Sequence, residues 1–285
     1  MKVLVLGSTG YVGKKLVENL LSKKYEVIAI VRNIEKNAGC GIKYYSTLEY
    51  GKVFKDNPDI SVLINVAGVY EKMGITVEDI LDGNLTFPLK VMLHTKDTQV
   101  KKIINVATSL PDNLNLYTMS KRKLSEFGKW IVDYYSNHDM CFFNVLLENF
   151  YGEGEPENRF LSYVTKSLIE GTDIDMTTGE QKRDFIYISD VIDGLVHLIE
   201  EDDHKGYAEV DLGTGVAPSV REIVEYLHKV SCSESKINFG AVPKRKIEPD
   251  SVADIENMKK YGIFPKIGWK DGMKKLVAYR KEMHL

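Results

Sequence analysis

Short apolar runs alternate with amphipathic stretches through the first half of the chain. The apolar runs are rich in β-branched residues and four or five residues long, which is typical of strands buried on both faces. They are residues 3–6, 27–31, 62–66 and 103–107. Apolar positions at three- and four-residue spacing predict helices at 12–22, 77–94 and 117–136. Strand–helix alternation of this kind predicts a mostly parallel sheet with helices on both faces.

The second half is less regular. Another apolar run at 141–147 predicts a further strand of the same sheet, and the turn-rich segment 151–156 breaks the pattern. A strand-like run at 208–212 ends in Gly-Thr-Gly and predicts a return to the core, before a helix at 220–229. We therefore expect a core domain formed by 1–150 and about 185–215, and a smaller domain formed by about 151–184 and 216–285.

Composition excludes several partners. The chain has 285 residues, 44% of them apolar and 28% charged, with a formal net charge of −3. This gives no footprint for nucleic acid or an anionic membrane, and no apolar run approaches the roughly 20 residues of a membrane span. The three scattered cysteines (Cys40, Cys141 and Cys232) are typical of reduced thiols. Because Met1 runs directly into the first strand, we expect no signal peptide and a cytoplasmic location.

A glycine-rich turn follows the first strand. Gly7, Gly10 and Gly13 in Gly-x-x-Gly-x-x-Gly open the first helix. Glycines at such a turn allow a tight bend and let the backbone approach a pyrophosphate, and the helix N-terminus offers free N–H groups to it. Because the loop opens the first predicted helix, we favour a dinucleotide site over an ordinary glycine turn.

The segment Tyr117-Thr118-Met119-Ser120-Lys121 places a phenol and an ammonium on one face of a helix. A nearby ammonium favours the phenolate and lowers a tyrosine pKa, which makes a proton donor usable near neutral pH. Alone, the spacing is most often a surface coincidence. Together with the glycine turn and with Thr108 nine positions upstream, it predicts catalysis.

These motifs resemble the extended branch of the short-chain dehydrogenase/reductase superfamily, within the NAD-dependent epimerase/dehydratase family. The resemblance implies an α/β fold: a Rossmann-type, doubly wound parallel sheet with a smaller, mixed α/β C-terminal domain for the substrate. It also implies that Thr108 binds the substrate carbonyl, that Tyr117 donates the proton and that Lys121 holds the nicotinamide ribose. Ser109 is the alternative to Thr108 for the first role and is otherwise assigned to the substrate.

Other residues take roles from the same resemblance. Asn84 matches a helix asparagine that supports proton transfer, with a plain surface amide as the alternative. The segment 65–68 (Asn-Val-Ala-Gly) matches a strand end that passes close to the cofactor, and an ordinary strand terminus is the alternative. The residues assigned to the cofactor are Gly7, Thr9, Gly10, Tyr11, Val12, Gly13, Arg32, Ala67, Tyr117 and Lys121.

The end of the second strand decides which dinucleotide is expected. NAD-binding proteins usually place a carboxylate there, for the adenosine ribose, whereas this chain has Val31 followed by Arg32. A guanidinium can pair with a 2′-phosphate. We therefore predict NADP(H) over NAD(H), with a solvated arginine as the alternative. No histidine pair has metal-ligand spacing, and no metal is predicted.

Two later segments resemble nucleotide-sugar motifs. Residues 148–154 resemble Arg-x-x-Asn-x-Tyr-Gly-Pro-Gly, with Leu146 in place of the arginine, and imply that Asn149 binds substrate. Residues 179–191 match a longer motif in which Arg183 pairs with the diphosphate and Asp190 is the N-cap of the next helix. Arg245 stands where a second diphosphate-binding arginine is placed, with a solvated basic turn as the alternative.

The resemblance reduces the number of reactions that this chain is expected to catalyse. The 4,6-dehydratases have an Asp-Glu pair after the catalytic threonine, where this chain has Ser109 and Leu110, and 4-epimerases retain NAD. The segment 108–117 resembles nucleotide-sugar 4-ketoreductases of the CDP-abequose synthase type. We expect NADPH-dependent reduction of a CDP- or dTDP-linked 4-keto-6-deoxyhexose. A UDP-hexose 4-epimerase and a non-catalytic NADP-binding regulator are the alternatives. A homodimer through 77–94 and 117–136 is also expected, against a monomer.

Overall fold

The structure, a computed structural model, describes residues 1–34, 41–135, 140–244 and 246–283. Its strands are β1 (Lys2–Leu6), β2 (Glu26–Val31), β3 (Lys43–Ser46), β4 (Ile60–Asn65), β5 (Lys102–Val106), β6 (Cys141–Leu147), β7 (Asn149–Tyr151), β8 (Ile174–Met176), β9 (Phe185–Tyr187), β10 (Gly206–Leu212) and β11 (Ile237–Phe239). Its α-helices are α1 (Tyr11–Ser22), α2 (Tyr50–Asp56), α3 (Val77–Leu81), α4 (Phe87–Leu93), α5 (Leu116–Tyr135), α6 (Phe160–Ile169), α7 (Ile188–Glu200), α8 (Val220–Ser231), α9 (Ile255–Lys260) and α10 (Trp269–Met283).

These elements belong to two compact units. The first comprises Met1–Leu147 and Ile192–Val210, and the second comprises Glu148–Val191 and Asp211–Leu285. The chain therefore passes from one unit to the other after Leu147, after Val191 and after Val210.

The first unit is built on a parallel sheet. Within the described residues, seven strands lie in the order β10-β6-β5-β4-β1-β2-β3. The strands from β6 to β3 in this order pair in parallel. Every residue of β5 and β6 is buried, including the polar Lys102, Asn105 and Asn144 within these mostly apolar strands. The strand predicted at 141–147 is confirmed to the residue, and the prediction of a doubly wound parallel fold is confirmed.

The helix predicted at 77–94 is interrupted. A π-helical segment, Asp82–Thr86, separates α3 from α4. The wider turn of a π-helix changes which residue faces inward. Here it places the side chain of Asn84 in the interior, fully buried.

Three asparagines form an amide ladder across the centre of the sheet. Asn65 Nδ2 donates to Asn105 Oδ1 at 2.9 Å, and Asn105 Nδ2 donates to Asn144 Oδ1 at 2.9 Å. The ladder ends at the carboxylate of Glu209, which accepts from Asn144 Nδ2 at 3.2 Å. At the other end, Asn65 Oδ1 accepts the N–H of Ala67 at 3.2 Å. All three asparagine side chains are fully buried. Their hydrogen-bonding groups are therefore satisfied by neighbouring protein groups instead of water.

The second unit has short strands, with β7 paired to β9 and β8 paired to β11, both in parallel. Its centre is the buried carboxylate of Asp184. This carboxylate accepts the N–H and the hydroxyl of Thr214, the N–H of Gly215 and the N–H of Ala253, at 2.6–3.2 Å. Asp184 therefore joins three segments of the unit.

The N-cap prediction for Asp190 is wrong. Helix α7 begins at Ile188, two residues earlier, and Asp190 lies in its first turn. The Asp190 carboxylate instead accepts the backbone N–H groups of Lys266 and Ile267, at 3.0 and 2.8 Å. A tertiary contact has taken the place of the local cap.

The helices and the cysteines can be compared with the sequence predictions. Among the described residues, no helix is long and apolar enough to cross a membrane. Cys141 is a buried free thiol and Cys232 an exposed one, and burial raises the pKa of Cys141 to about 12. Cys40 lies outside the described residues.

Candidate active site

The glycine turn is formed by close backbone contacts. Gly7 has a φ of +82°, and a Cβ there would lie 2.6 Å from the backbone of Ala67. A Cβ on Gly13 would lie 2.0 Å from the carbonyl oxygen of Gly7. Larger residues at either position would push α1 or the end of β4 away, so the loop stays open at the N-terminus of α1, after the N-cap Gly10. Thr9, Tyr11 and Val12 lie on the same turn.

The first turn of α5 holds Tyr117. Asn115 Oδ1 accepts the N–H of Thr118 at 2.9 Å, which is the bond that an N-cap makes. The Thr118 hydroxyl donates to the carbonyl of Asp112 at 3.2 Å. Ser120 Oγ donates to the Tyr117 carbonyl at 2.9 Å. These bonds tie the start of the helix to the preceding loop and hold the phenol one turn from Lys121.

Lys121 is deeply buried, with 2% of its surface exposed. Its Nζ donates to the carbonyl of Ala67 at 2.9 Å, which brings two residues assigned to the cofactor together. Burial lowers the Lys121 pKa from 10.5 to about 7, because the ammonium is costly to desolvate. The charged and neutral forms of Lys121 are thus close in energy at neutral pH.

Thr108 follows the end of β5, as predicted. Its hydroxyl oxygen accepts the N–H of Leu110 at 3.3 Å, and its side chain is buried. Ser109 is half-buried. The guanidinium of Arg122 donates to the carbonyls of Ser109 and Leu110 at 3.1 and 3.2 Å. This loop is therefore fixed to α5, one residue after Lys121.

Tyr70 is a site residue that sequence analysis missed. Its ring stacks on that of Tyr117, with centroids 4.1 Å apart and planes inclined by 22°. Its hydroxyl donates to the Tyr117 hydroxyl at 3.1 Å. The two residues are 47 positions apart and share no motif, so no sequence signal links them.

Asn84 is not a surface amide. Its Oδ1 accepts the N–H of Val69 at 2.8 Å, and its Nδ2 donates to the Val69 carbonyl at 2.9 Å and to Ser120 Oγ at 3.1 Å. The side chain therefore connects the segment after β4 to α5, beside Tyr117.

Arg32 lies exposed just after β2. The carboxylate of Asp79 is held by the capping bonds of Thr76, which lower its pKa, and the charge of Arg32 lowers it further. Arg32 thus lies in the neighbourhood of an acidic group as well as at the predicted position.

In the second unit the predicted substrate residues make contacts with backbone. Arg183 Nη1 donates to the carbonyls of Lys182 and Pro249. Asn149 Nδ2 donates to the carbonyl of Asp184 at 3.4 Å. Arg245 lies outside the described residues.

Two cavities in the described part of the chain are each lined by residues of a single unit. One in the first unit has a volume of about 550 Å³ and is lined by Pro111, Asp112, Arg122, Ser125, Glu126, Lys129, Tyr207 and Glu209. One in the second unit has a volume of about 290 Å³ and is lined by Glu180, Gln181, Lys244, Glu248 and Asp250. Lys244 is paired with Glu180, so the second cavity carries excess negative charge. No group of three or more histidine, cysteine or acidic side chains in the described ranges is placed to hold a metal.

Comparison with known proteins gives consistent relatives. A model of the NAD dependent epimerase/dehydratase family matches residues 3–213. CDP-abequose synthase of Salmonella typhimurium is 30% identical over 298 residues, covering 96% of this chain and 97% of that protein. UDP-glucose 4-epimerase of Streptococcus mutans is 25% identical over 324 residues, covering 98% and 95%.

Solved structures share the fold. UDP-glucose 4-epimerase of Thermotoga maritima, determined with UDP-glucose, has a TM-score of 0.84 at 18% identity over 100% of both chains. UDP-glucuronic acid 4-epimerase of Bacillus cereus, in complex with UDP-glucuronic acid and NAD, has a TM-score of 0.83 at 22% identity, covering 99% and 100%.

The fold and the family match define an enzyme of the oxidoreductase type on a Rossmann scaffold. The chain belongs to the NAD dependent epimerase/dehydratase family. Within that family it is similar to CDP-abequose synthases over nearly its full length. The resemblance to extended short-chain dehydrogenases/reductases is confirmed.

Proposed function

We propose that this enzyme uses NADPH to reduce the C4 ketone of a nucleoside-diphosphate 4-keto-6-deoxyhexose, linked to CDP or dTDP. The observation that carries the proposal is the pair Tyr117 and Lys121 on one face of α5, with Lys121 bonded to Ala67. The similarity to CDP-abequose synthases supports a nucleotide-sugar substrate.

The glycine turn fits a dinucleotide. A Cβ on Gly7 or Gly13 would collide with the backbone of Ala67 or of Gly7, so these glycines allow the tight turn, and Ser8 Oγ is buried without a hydrogen-bond partner among the described residues. Backbone N–H groups at the start of α1 suit a pyrophosphate. Thr9, Tyr11 and Val12 would line this turn, and Ala67 and Lys121 would hold the nicotinamide ribose.

Arg32 supports the preference for NADP(H). Its guanidinium is exposed directly after β2, where it can pair with a 2′-phosphate. The structural relatives bind NAD, and Asp79 nearby would oppose a phosphate. The preference therefore rests on Arg32.

The residues of this chain supply the proton chemistry. Thr108 donates a hydrogen bond to the C4 oxygen of the substrate, with Ser109 as the alternative donor. A bound dinucleotide would supply the hydride that C4 receives. Tyr117 gives its phenolic proton to the C4 oxygen as the C–H bond forms, and is left as a phenolate. The Lys121 ammonium stabilises that phenolate electrostatically, and a proton from solvent restores Tyr117.

The segment after Thr108 favours reduction over dehydration. Elimination of water from the sugar needs an acid and a base at the positions that Ser109 and Leu110 occupy. An enzyme lacking those groups must receive a ketone that another enzyme has made. A 4,6-dehydratase is therefore the expected preceding activity.

A UDP-hexose 4-epimerase is the second candidate. Relatives with that activity in their names match 95–98% of this chain, and Tyr117 and Lys121 would suit it equally. A non-catalytic NADP-binding regulator is disfavoured because the chain keeps both residues.

The substrate diphosphate is assigned to the second unit. Arg183 and Asn149 are the proposed anchors, and Arg245 is a further one. Arg183 is proposed because a guanidinium can bind a diphosphate in a bidentate fork.

One coupled assay decides between the candidates. A 4,6-dehydratase generates ketosugars from CDP-, dTDP-, GDP- and UDP-hexoses, and loss of NADPH is followed after this enzyme is added. We expect stoichiometric oxidation with a CDP- or dTDP-linked ketosugar and none with free ketohexoses. Interconversion of UDP-hexoses without net NADPH loss would contradict the reductase and establish the epimerase.

A homodimer through residues 77–94 and 117–136 also remains a proposal. Met119, Phe127, Trp130 and Tyr134 are large side chains exposed on α5, whereas Ile131 is buried in the core and is not available for the contact. Light scattering should give about twice the 32.3 kDa mass of the chain. A species at the monomer mass across micromolar concentrations would contradict it. The cytoplasmic location stays a prediction.

A further inference from the structure

The segment that follows β4, residues 67–71, is fastened at several points to the proposed catalytic residues. The N–H of Ala67 donates to Asn65 Oδ1, and its carbonyl accepts from Lys121 Nζ. At the other end, Glu71 Oε1 accepts the N–H of Leu116 at 3.3 Å, the first residue of α5. This segment is therefore held against the helix that carries Tyr117.

Asn84 fixes the centre of the segment. Its amide bonds both the N–H and the carbonyl of Val69, and this arrangement depends on Gly83, where a Cβ would lie 2.5 Å from Val69 Cγ2. The π-helical turn that brings Asn84 inward thus sets the backbone of the residue before Tyr70. The buried hydrogen bonds of Asn84 therefore fix the backbone next to the exposed side chain of Tyr70. This rigid placement points to a function for Tyr70.

Tyr70 is the side chain that the segment presents. It is 48% exposed, yet its ring lies flat on Tyr117 and its hydroxyl donates to the Tyr117 hydroxyl at 3.1 Å. We infer that Tyr70 is a positioning residue for Tyr117, stabilising the phenolate that forms in each turnover and relaying the proton that replaces it. This inference rests on the acid role of Tyr117 in the proposed function.

The relay balances as a proton transfer alone. When Tyr117 has given its proton to the C4 oxygen, the O–H bond of Tyr70 breaks and the O–H bond of Tyr117 forms. Tyr70 then takes a proton from water or a buffer acid at its exposed edge. A reductase needs one such proton from solvent in each turnover, whereas an epimerase, which returns the proton to its substrate, does not.

The hydrogen bond has a predictable sign. A donor to the Tyr117 oxygen favours the phenolate over the phenol, and a bond to a charged group is worth about one pH unit. The other charged groups near Tyr117 that the structure identifies are Lys121, one turn along α5, and Glu71, whose carboxylate bonds the N–H of Leu116. Both are unchanged when Tyr70 is replaced by phenylalanine.

The test compares four forms of the full-length enzyme: wild type, Tyr70→Phe, Tyr117→Phe and Tyr134→Phe. Phenylalanine at 70 keeps the stacked ring and loses only the hydroxyl. Tyr134 is the matched control, because it is also exposed and also stacks on an aromatic ring, that of Trp130, away from Tyr117. Phenolate absorbance is titrated without substrate, and from each curve the curve of the same form with Tyr117→Phe added is subtracted, which isolates the ionisation of Tyr117.

We expect Tyr70→Phe to move the Tyr117 ionisation up by about one pH unit, and Tyr134→Phe to leave it in place. In the coupled assay, Tyr70→Phe should lower kcat about tenfold with little change in KM, and should move the alkaline limb of the pH profile in the same direction as the titration.

The two failures are distinguishable. An unmoved Tyr117 ionisation in Tyr70→Phe would overturn the inference, even if Tyr117→Phe still abolishes NADPH oxidation. No detectable ionisation of Tyr117 would overturn it as well. A shifted ionisation in an enzyme that oxidises no NADPH with any ketosugar would support the coupling of Tyr70 to Tyr117 and reject the reductase.

Discussion

The two units use their motif residues differently. In the first unit, Tyr117 and Lys121 lie on one face of a capped helix, and the buried ammonium of Lys121 donates to the backbone carbonyl of Ala67. In the second unit, the carboxylates of Asp184 and Asp190 accept hydrogen bonds from backbone N–H groups. Motif residues therefore serve the proposed chemistry in the first unit and the stability of the fold in the second. Substitutions in the first unit should reduce activity, and those in the second should reduce stability.

The largest effect is expected at Tyr117. Tyr117→Phe removes the proton donor and keeps the ring, so turnover should fall by about 10²–10⁴, while NADPH affinity stays nearly unchanged. Steady-state kinetics in the coupled assay and a dinucleotide titration measure the two quantities. Retention of more than about a tenth of the wild-type rate would show that Tyr117 is not the donor. In parallel, the larger kinetic loss between Thr108→Ala and Ser109→Ala identifies the carbonyl-binding hydroxyl.

At Asp184 the loss should be in stability. Asp184→Ala leaves the N–H groups of Thr214, Gly215 and Ala253, the last of them buried, without their acceptor, which costs about 3 kcal/mol. Thermal unfolding should shift down by about 10 °C. The control is Asp175→Ala, which loses an exposed bond to Asn238. Equal melting temperatures for the two variants would contradict a structural role for Asp184.

Replacing Lys121 should reduce activity but increase stability, in contrast to Asp184→Ala. Between its folded pKa of about 7 and its ordinary value of 10.5, only the unfolded chain holds this proton, so unfolding takes up a proton and becomes harder as pH rises. This contributes about 1.4 kcal/mol of stability per pH unit. Lys121→Met should abolish turnover, raise stability at pH 7 and remove that slope. Denaturant unfolding without dinucleotide, across this pH range, is the measurement. A variant that is less stable than wild type at pH 7 would show that the ammonium is not strained by burial.

The smallest effect concerns the dinucleotide. If Arg32 binds a 2′-phosphate, NADPH should bind at least about tenfold more tightly than NADH, equivalent to about 1.4 kcal/mol, and Arg32→Ala should erase most of that difference. Calorimetric titration of both dinucleotides against both proteins checks it. Equal affinities in the wild type would remove the argument for NADP, and Asp79 would then be the group to examine.

Sequence predicted the first unit better than the second for a physical reason. Strands such as β6 are buried on both faces, and their runs of mostly apolar residues are visible in the sequence. Strands β7, β8, β9 and β11 have three residues each, too few to show a period. Residue-level contacts were harder still.

Two contacts show what one-dimensional patterns omit. Asp190 stands where a cap is expected, but the N–H groups of Lys266 and Ile267 lie close enough in the fold to bind it instead. Tyr70 stacks on Tyr117 because Asn84 and Gly83 fix the position of Val69, the residue before Tyr70. The motif positions could be predicted, whereas these long-range partners depend on tertiary structure.

The amide ladder across β4, β5 and β6 also constrains folding. A purely apolar strand can shift its register by two residues and still bury apolar side chains. Such sheets are therefore prone to mispairing. Here Asn65, Asn105 and Asn144 satisfy one another only when all three strands are in their native alignment. Any slip leaves fully buried amides unbonded, at about 1–3 kcal/mol each. The ladder therefore favours the native alignment of these three strands over any slipped pairing once the sheet is covered and the amides are buried.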